Sequence, residues 1–196
     1  SNLDFHINDY QILTEVYGIR VDGIIGYSFL RRYIVTLNYD KQILSVYEPG
    51  VFKYPKGGTY LKPTFANIPI TRHTVSDDHS YTSNFYFDTG AGLCIMFSED
   101  YVRDSSLLNK KRKIVSTQVE GLAGKINMKM STIKKVSVGP YSFKKVPVHI
   151  YDDSVNVFSY PSLAGLIGSD LLRRFNIVIN YPEGVIHLLP NTHMND

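Results

Sequence analysis

The chain has 196 residues, enough for one substantial core or two small ones. Apolar residues make up 43% and charged residues 20%, an ordinary globular balance, and a net charge of +3 is too small to argue for nucleic acid. The single cysteine, Cys94, excludes an internal disulfide or a cysteine-based metal cluster, and no apolar stretch reaches the length of a membrane span.

Tyr and Phe are plentiful and β-branched residues frequent, which favours strands. The spacing of Ile12, Leu13 and Val16 predicts a short helix from Asp9 to the stop at Gly18. A second short helix is expected over Ser28 to Tyr33. It is followed by a hairpin, Ile34 to Leu37 and Gln42 to Tyr47, turning at Asp40-Lys41. Pro49-Gly50 through Gly57-Gly58 punctuates like a linker. Thr64 to Thr71 and Tyr81 to Asp88 read as strands around a polar turn at Ser76-Asp77-Asp78. Ser98 suits a helix N-cap, with Glu99 and Asp100 in the first turn of a helix reaching about Leu108. Ile114 to Glu120 and Lys125 to Val138 read as a long hairpin with a small-residue tip. Pro140 then turns into a strand from Ser142 to Tyr151, and a loop spans Asp152 to Ser162. Most elements are strands, so the fold class expected is all-β and barrel-like, with a few short helices.

Two segments carry chemical information. Asp88-Thr89-Gly90-Ala91 follows the aromatic run Phe85-Tyr86-Phe87 and precedes the apolar run Leu93 to Phe97. An acid at the end of a buried strand, followed at once by a small-residue turn, stands where its environment can tune it. Gly90 permits a tight turn beneath the acid, and its amide is placed to donate to the carboxylate. Further on, Ala164-Gly165-Leu166-Ile167-Gly168 supplies a second apolar-glycine signature.

Comparing the chain with itself reveals a repeat. Gly23-Ile24-Ile25-Gly26 through Tyr39 aligns without a gap with Gly165-Leu166-Ile167-Gly168 through Tyr181, at a constant offset of 142 residues. Two glycines, a Leu-Arg-Arg triplet and an Asn-Tyr turn recur in register. A copy of Asp88 at the same offset falls before Ser1. Residues 1–49 are therefore expected to be the closing part of a first, truncated lobe, 50–58 a linker, and 59–196 a complete second lobe.

With Asp-Thr-Gly-Ala between apolar strands, a glycine-tipped hairpin and Gly-Leu-Ile-Gly downstream, the chain resembles the aspartic proteases of the retropepsin and pepsin type. The resemblance covers essentially all of residues 59–190, with 20–49 as a partial copy. It implies a retropepsin-like closed barrel lobe and peptide-bond hydrolysis by a water activated between two aspartates. Asp88 takes the place of one catalytic aspartate, with Thr89, Gly90 and Ala91 as the supporting loop. Gly121, Leu122, Ala123 and Gly124 correspond to the flap that closes over the peptide. Leu166, Ile167 and Gly168 correspond to the strand packed against the catalytic loop. The partner implied is a peptide or protein substrate, with no cofactor and no metal. Two departures stand out: Gly92 replaces the acid common after this motif in retroviral enzymes, and the flap tip lacks the tyrosine of the pepsin type.

Only one such aspartate is visible, so three arrangements follow from the resemblance. The second acid comes from a missing N-terminal lobe, or from a second copy of the lobe in a homodimer, or it is absent and the chain is an inactive peptide- or protein-binding scaffold. Asp170 aligns with Ser28 and suits a helix N-terminus, and Asp22 aligns with Ala164, so both read as structural. The six histidines show no paired metal-ligand spacing, though His149 and His187 lie in strand-like runs. The run Lys110-Lys111-Arg112-Lys113 reads as a solvated helix end or loop, or as a contact for an acidic partner. Cys94 reads as a small buried hydrophobe. The compartment is not fixed by the sequence; a secreted or cell-envelope location fits the family's habits.

Overall fold

A computed structural model describes residues 20–65, 67–121, 124–151 and 162–196. The helix expected over Asp9 to Gly18, and all but the last residue of the loop from Asp152 to Ser162, lie outside them. Two sheets carry the described structure. The larger contains β4 (Thr64–Phe65), β5 (Pro69–Ser76), β6 (Ser80–Phe87), β7 (Ile95–Ser98), β8 (Val115–Gly121), β9 (Gly124–Val138), β10 (Tyr141–Tyr151) and β11 (Leu163–Ile167). Its order is β4-β5-β6-β11-β7-β10-β9-β8, and a further pairing of β5 with β9 closes six of these strands into a barrel. The expected all-β closed barrel is thus present.

Alternation fills it. Phe85 and Phe87 of β6, Ile95 and Phe97 of β7, Ile133 and Val136 of β9, Val148 of β10 and Ile167 of β11 all point into one core. On β5 the inward positions are Thr71, His73 and Val75. The two polar groups meet, Thr71 Oγ1 lying 2.6 Å from His73 Nε2. Burial lowers the pKa of His73 to about 3, so it sits in the core as a neutral ring.

The strand expected from Thr64 to Thr71 is instead two. β4 turns back on β5, pairing Phe65 with Pro69, and β5 then runs past Thr71 to Ser76, where the expected polar turn begins. Pro69 lacks an N–H for a continuous ladder, which suits it to the start of a strand. The helix α2 (Glu99–Ser105) begins as expected, with Ser98 Oγ accepting from the Tyr101 amide at 3.1 Å. It stops before Leu108, because Ser106 adopts a left-handed conformation and Leu107 is buried in the core. Between β9 and β10, Gly139 takes φ +57° at the first position of a two-residue turn, and Pro140 fixes the second.

The smaller sheet runs β2-β1-β12-β13-β3, with β1 (Ile34–Asn38), β2 (Ile43–Tyr47), β3 (Thr59–Leu61), β12 (Phe175–Asn180) and β13 (Val185–Pro190). Here the sequence repeat becomes geometry. α1 (Tyr27–Leu30) and α3 (Ser169–Leu172) fall 142 residues apart, and their caps Gly26 and Gly168 share one conformation, φ −110° and −105°. The hairpins β1–β2 and β12–β13 have the same register at that offset, and they pair antiparallel through β1 and β12. At the centre Thr36 pairs with Val178, its own repeat equivalent. A local two-fold axis therefore passes through that pair. The segment between β2 and β3 is laid onto this sheet by edge-to-face ring contacts, Phe52 with Tyr47 and Tyr54 with Tyr60 and His187. The Tyr54 hydroxyl accepts from Asn180 Nδ2.

One buried ion pair ties the barrel's outer layers. Asp77, in the β5–β6 turn, has no exposed side-chain surface. It accepts from Arg112 Nε and Nη2 and from the amides of Asn109 and Lys134. Burial alone raises its pKa, but the Arg112 hydrogen bonds, the two amides and the guanidinium charge bring it below the usual value. Arg112 is thus turned inward out of its basic run. Removing the carboxylate leaves a guanidinium and two amides without their partner, so Asp77→Ala is expected to lose about 3 kcal/mol at neutral pH. A depressed native pKa means this contribution is fully present above the unfolded value, near ~4, and lost as pH falls through the native one. Urea denaturation should show the gap between variant and wild type at pH 7 and see it shrink below about pH 4.

Candidate active site

β6 and β11 are parallel neighbours, so their C-terminal ends, Phe87 and Ile167, lie side by side and the loops that follow must meet. β7 pairs antiparallel on the other side of β11, returning the first loop to the same place. Asp88 stands just past β6, half-buried. Its amide donates to Ile167 O at 2.9 Å. The Gly90 amide donates to Asp88 Oδ1 at 2.8 Å, so one carboxylate oxygen is fixed by the turn that follows it.

The partner loop completes a set of backbone bonds. Gly168 N–H donates to Cys94 O, Asp170 N–H to Leu93 O, and both the amide and the hydroxyl of Ser169 donate to Ala91 O. The approach leaves no room for a side chain: a Cβ on Gly168 meets Leu93 O at 2.3 Å and Ala91 O at 2.6 Å. Gly165 is as tight, since a Cβ there falls 1.8 Å from Met96 O. Leu166, Ile167 and Gly168 therefore pack against the Asp88 loop. Asp170 lies in the first turn of α3, and Asp22 is an exposed partner of Arg20. Cys94 is only half-buried, and burial raises its thiol pKa.

The second face of these strands builds a wall beside the loop. Tyr86, Leu166 and Met96 alternate outward from the barrel core, and with Leu93, Met128 and Tyr151 they form a separate apolar cluster. Ala91 of the Asp88 loop and Ile126 of β9 pack onto it. Ile126 and Met128 belong to the hairpin β8–β9, whose ends Gly121 and Gly124 pair across the tip. Leu122 and Ala123 lie outside the described residues. The hairpin thus contacts the wall next to Asp88. Tyr86, Met96, Ile126, Met128 and Tyr151 were not singled out from the sequence. Their signal was the period of two, since Tyr86 is out of phase with Phe85 and Phe87. His149 is half-buried with its pKa lowered by burial, and His187 is fully buried with Nε2 2.7 Å from Gly57 O. Among the described residues no group of three His, Cys, Asp or Glu stands close enough to hold a metal ion.

A carboxylate held by its own turn, on a loop that Gly168 approaches too closely to carry a side chain, and beside an apolar wall, is the site these residues form. Residues 74–171 match the sequence model of a family described as aspartyl protease, which is half of the chain. The chain belongs to the aspartyl protease family. Among solved structures it is similar to a retropepsin-like aspartic protease from Rickettsia conorii, at 19% identity and a TM-score of 0.48, over 69% of this chain and 100% of that one. No curated protein matches it.

The backbone crowding gives a direct test. Gly168→Ala is expected to push the Asp88 loop off β11, with a loss of about 3 kcal/mol or outright misfolding. Thermal melting and the exchange rates of the Ser169 and Asp170 amides measure it. Melting and exchange equal to wild type contradict the packing described.

Proposed function

We propose that the protein is an aspartic endopeptidase in which Asp88 forms one half of a catalytic pair and an upstream lobe supplies the other. The observation that carries this reading is the two-fold relation of the hairpins. An axis through Thr36 and Val178 relates each element of residues 23–47 to one of residues 165–189. The barrel that precedes the second hairpin holds Asp88, and by the same operation an equivalent barrel precedes the first.

The burial pattern supports it. Ile25 is 63% exposed where its counterpart Ile167 is 0%, and Leu44 is 50% exposed where Ile186 is 0%. Full burial of such a side chain contributes roughly 1.5–3 kcal/mol, and a covering lobe recovers the part still lost to water. Among the described residues β2 pairs only with β1, and its other edge points the same way. β3 pairs with β13 through Leu61↔Ile186 and Thr59↔Leu188, so an upstream strand is expected opposite Leu44 and Val46. A homodimer is disfavoured because the edge of β12 that a second copy's hairpin would take already holds β1.

In this reading two carboxylates face each other across the axis. Like charges at that range cannot both ionise, so one remains a carboxylate and takes a proton from the attacking water, while the other donates to the peptide carbonyl. Thr89 and Gly90 hold the acid in place, and Leu166, Ile167 and Gly168 back the loop. The β8–β9 hairpin closes over an extended peptide lying against the apolar wall and excludes water. Asp88→Asn cannot share the proton. In the protein carrying both lobes it is expected to lower peptide hydrolysis at mildly acidic pH by at least about 100-fold, with unchanged melting. Activity retained in that variant rules the mechanism out. A lobe with no aspartate to face Asp88 turns the protein into a peptide-binding scaffold.

A further inference from the structure

The basic residues are concentrated in one stretch of the chain. Ten of the 21 Lys and Arg lie between Lys110 and Lys145, against a single acid, Glu120. That stretch forms the loop after α2 and the strands β8, β9 and β10, which are consecutive in the sheet. Lys135 stands directly opposite Lys144 across the β9–β10 ladder, an arrangement that lowers stability. Glu120 is registered opposite Lys125. Three cations find acids from outside the stretch: Arg112 meets Asp77, Lys129 meets Glu99, and Lys134 lies 3.7 Å from Asp78. Lys110, Lys111 and Lys113 are exposed and make no ion pair among the described residues.

These three lysines lead into an open edge. β8 is the last strand of its sheet, and among the described residues only β9 pairs with it. Such an edge offers a row of free N–H and C=O groups, which proteins commonly blunt with charges on the strand itself. Here Val115, Ser116, Thr117 and Gln118 carry no charge, and Ile114 and Val115 are exposed at 51% and 42%. A groove runs alongside. A cavity of about 230 Å³ bounded by Lys110, Arg112 and Ile114 continues past Glu99, Lys129 and Ile150 into one of about 640 Å³ bounded by Ser116, Thr117 and Gln118.

We propose that the edge of β8 docks an acidic polypeptide segment as an added strand, its carboxylates set against Lys110, Lys111 and Lys113. The open ladder favours polypeptide over nucleic acid or an anionic membrane, because only a peptide backbone can both donate to and accept from the strand along its length. Exposed Ile114 and Val115 suit apolar side chains placed between the acids. The site is separate from Asp88 and does not depend on hydrolysis.

The probe is a fluorescein-labelled peptide of alternating Val and Glu, with an alternating Val and Lys peptide as control, followed by fluorescence anisotropy at low salt. The acidic peptide is expected to bind wild type and Asp88→Asn alike, so failure here is separable from failure of the peptidase reading. A triple variant, Lys110→Glu, Lys111→Glu and Lys113→Glu, is expected to weaken binding at least about 10-fold. Binding should also weaken with added salt and protect the amides of β8 from exchange. If the triple variant does not melt like wild type, Ile114→Ser is expected to weaken binding in its place. The proposal is overturned by no binding of the acidic peptide, by equal binding to the variant, or by β8 amides that stay unprotected. Tighter binding of a single-stranded oligonucleotide or of phosphatidylserine vesicles also overturns it, and assigns the face to nucleic acid or membrane.

Discussion

The structure depends on the contact between the Asp88 loop and the turn from β11 into α3. Five backbone and side-chain bonds join residues 88–94 to 167–170, and they form only because Gly168 brings no side chain into the space between Leu93 O and Ala91 O. Backbone amides buried away from water must be paired. A loop tied to a second loop at five points is restricted in conformation, and its carboxylate inherits that restriction. Pre-organisation of this kind is what a catalytic acid requires, because no reorganisation then remains for the reaction itself.

The parallel β6–β11 pair makes the contact possible. Parallel neighbours bring their ends together, and their distant sequence positions are joined by the barrel of β7, β10, β9 and β5. The barrel core therefore serves the site indirectly, by holding two loops edge to edge. The apolar wall on the outer face of the same strands makes use of the other half of the alternation. One strand, β6, contributes Phe85 and Phe87 to the core and Tyr86 to the wall, and ends on Asp88.

Much of this was legible in the sequence where a backbone demand narrows the choice of residue. Gly165 and Gly168 mark close approaches, and the aromatic and aliphatic runs mark strands buried in the barrel. The repeat was legible because the Gly-x-x-Gly turn and the Leu-Arg-Arg and Asn-Tyr pairs kept their spacing. What escaped depended on partners far along the chain. Arg112 reads as one cation in a run until Asp77, 35 residues away, turns it inward. His73 reads only as one of six histidines without paired spacing until Thr71 and the barrel interior account for it. β3 is three residues long and exists because β13 offers an edge. The division between β4 and β5 was written in Pro69, but the direction of the turn was not. The wall of Tyr86, Met96 and Met128 needed the faces of three strands to be known together.

The pairing of Thr36 with Val178 has a structural corollary. A residue on a symmetry axis sees its own equivalent, so the two positions share one environment and face the same shape requirement. Threonine and valine are nearly the same in outline, both branched at Cβ, and differ by a hydroxyl in place of a methyl. A side chain of another outline at either position would have to fit against its counterpart at the one place where neither half can shift without the other. The join between the halves is thereby made self-checking, with a single pair of small branched residues setting how the two are aligned.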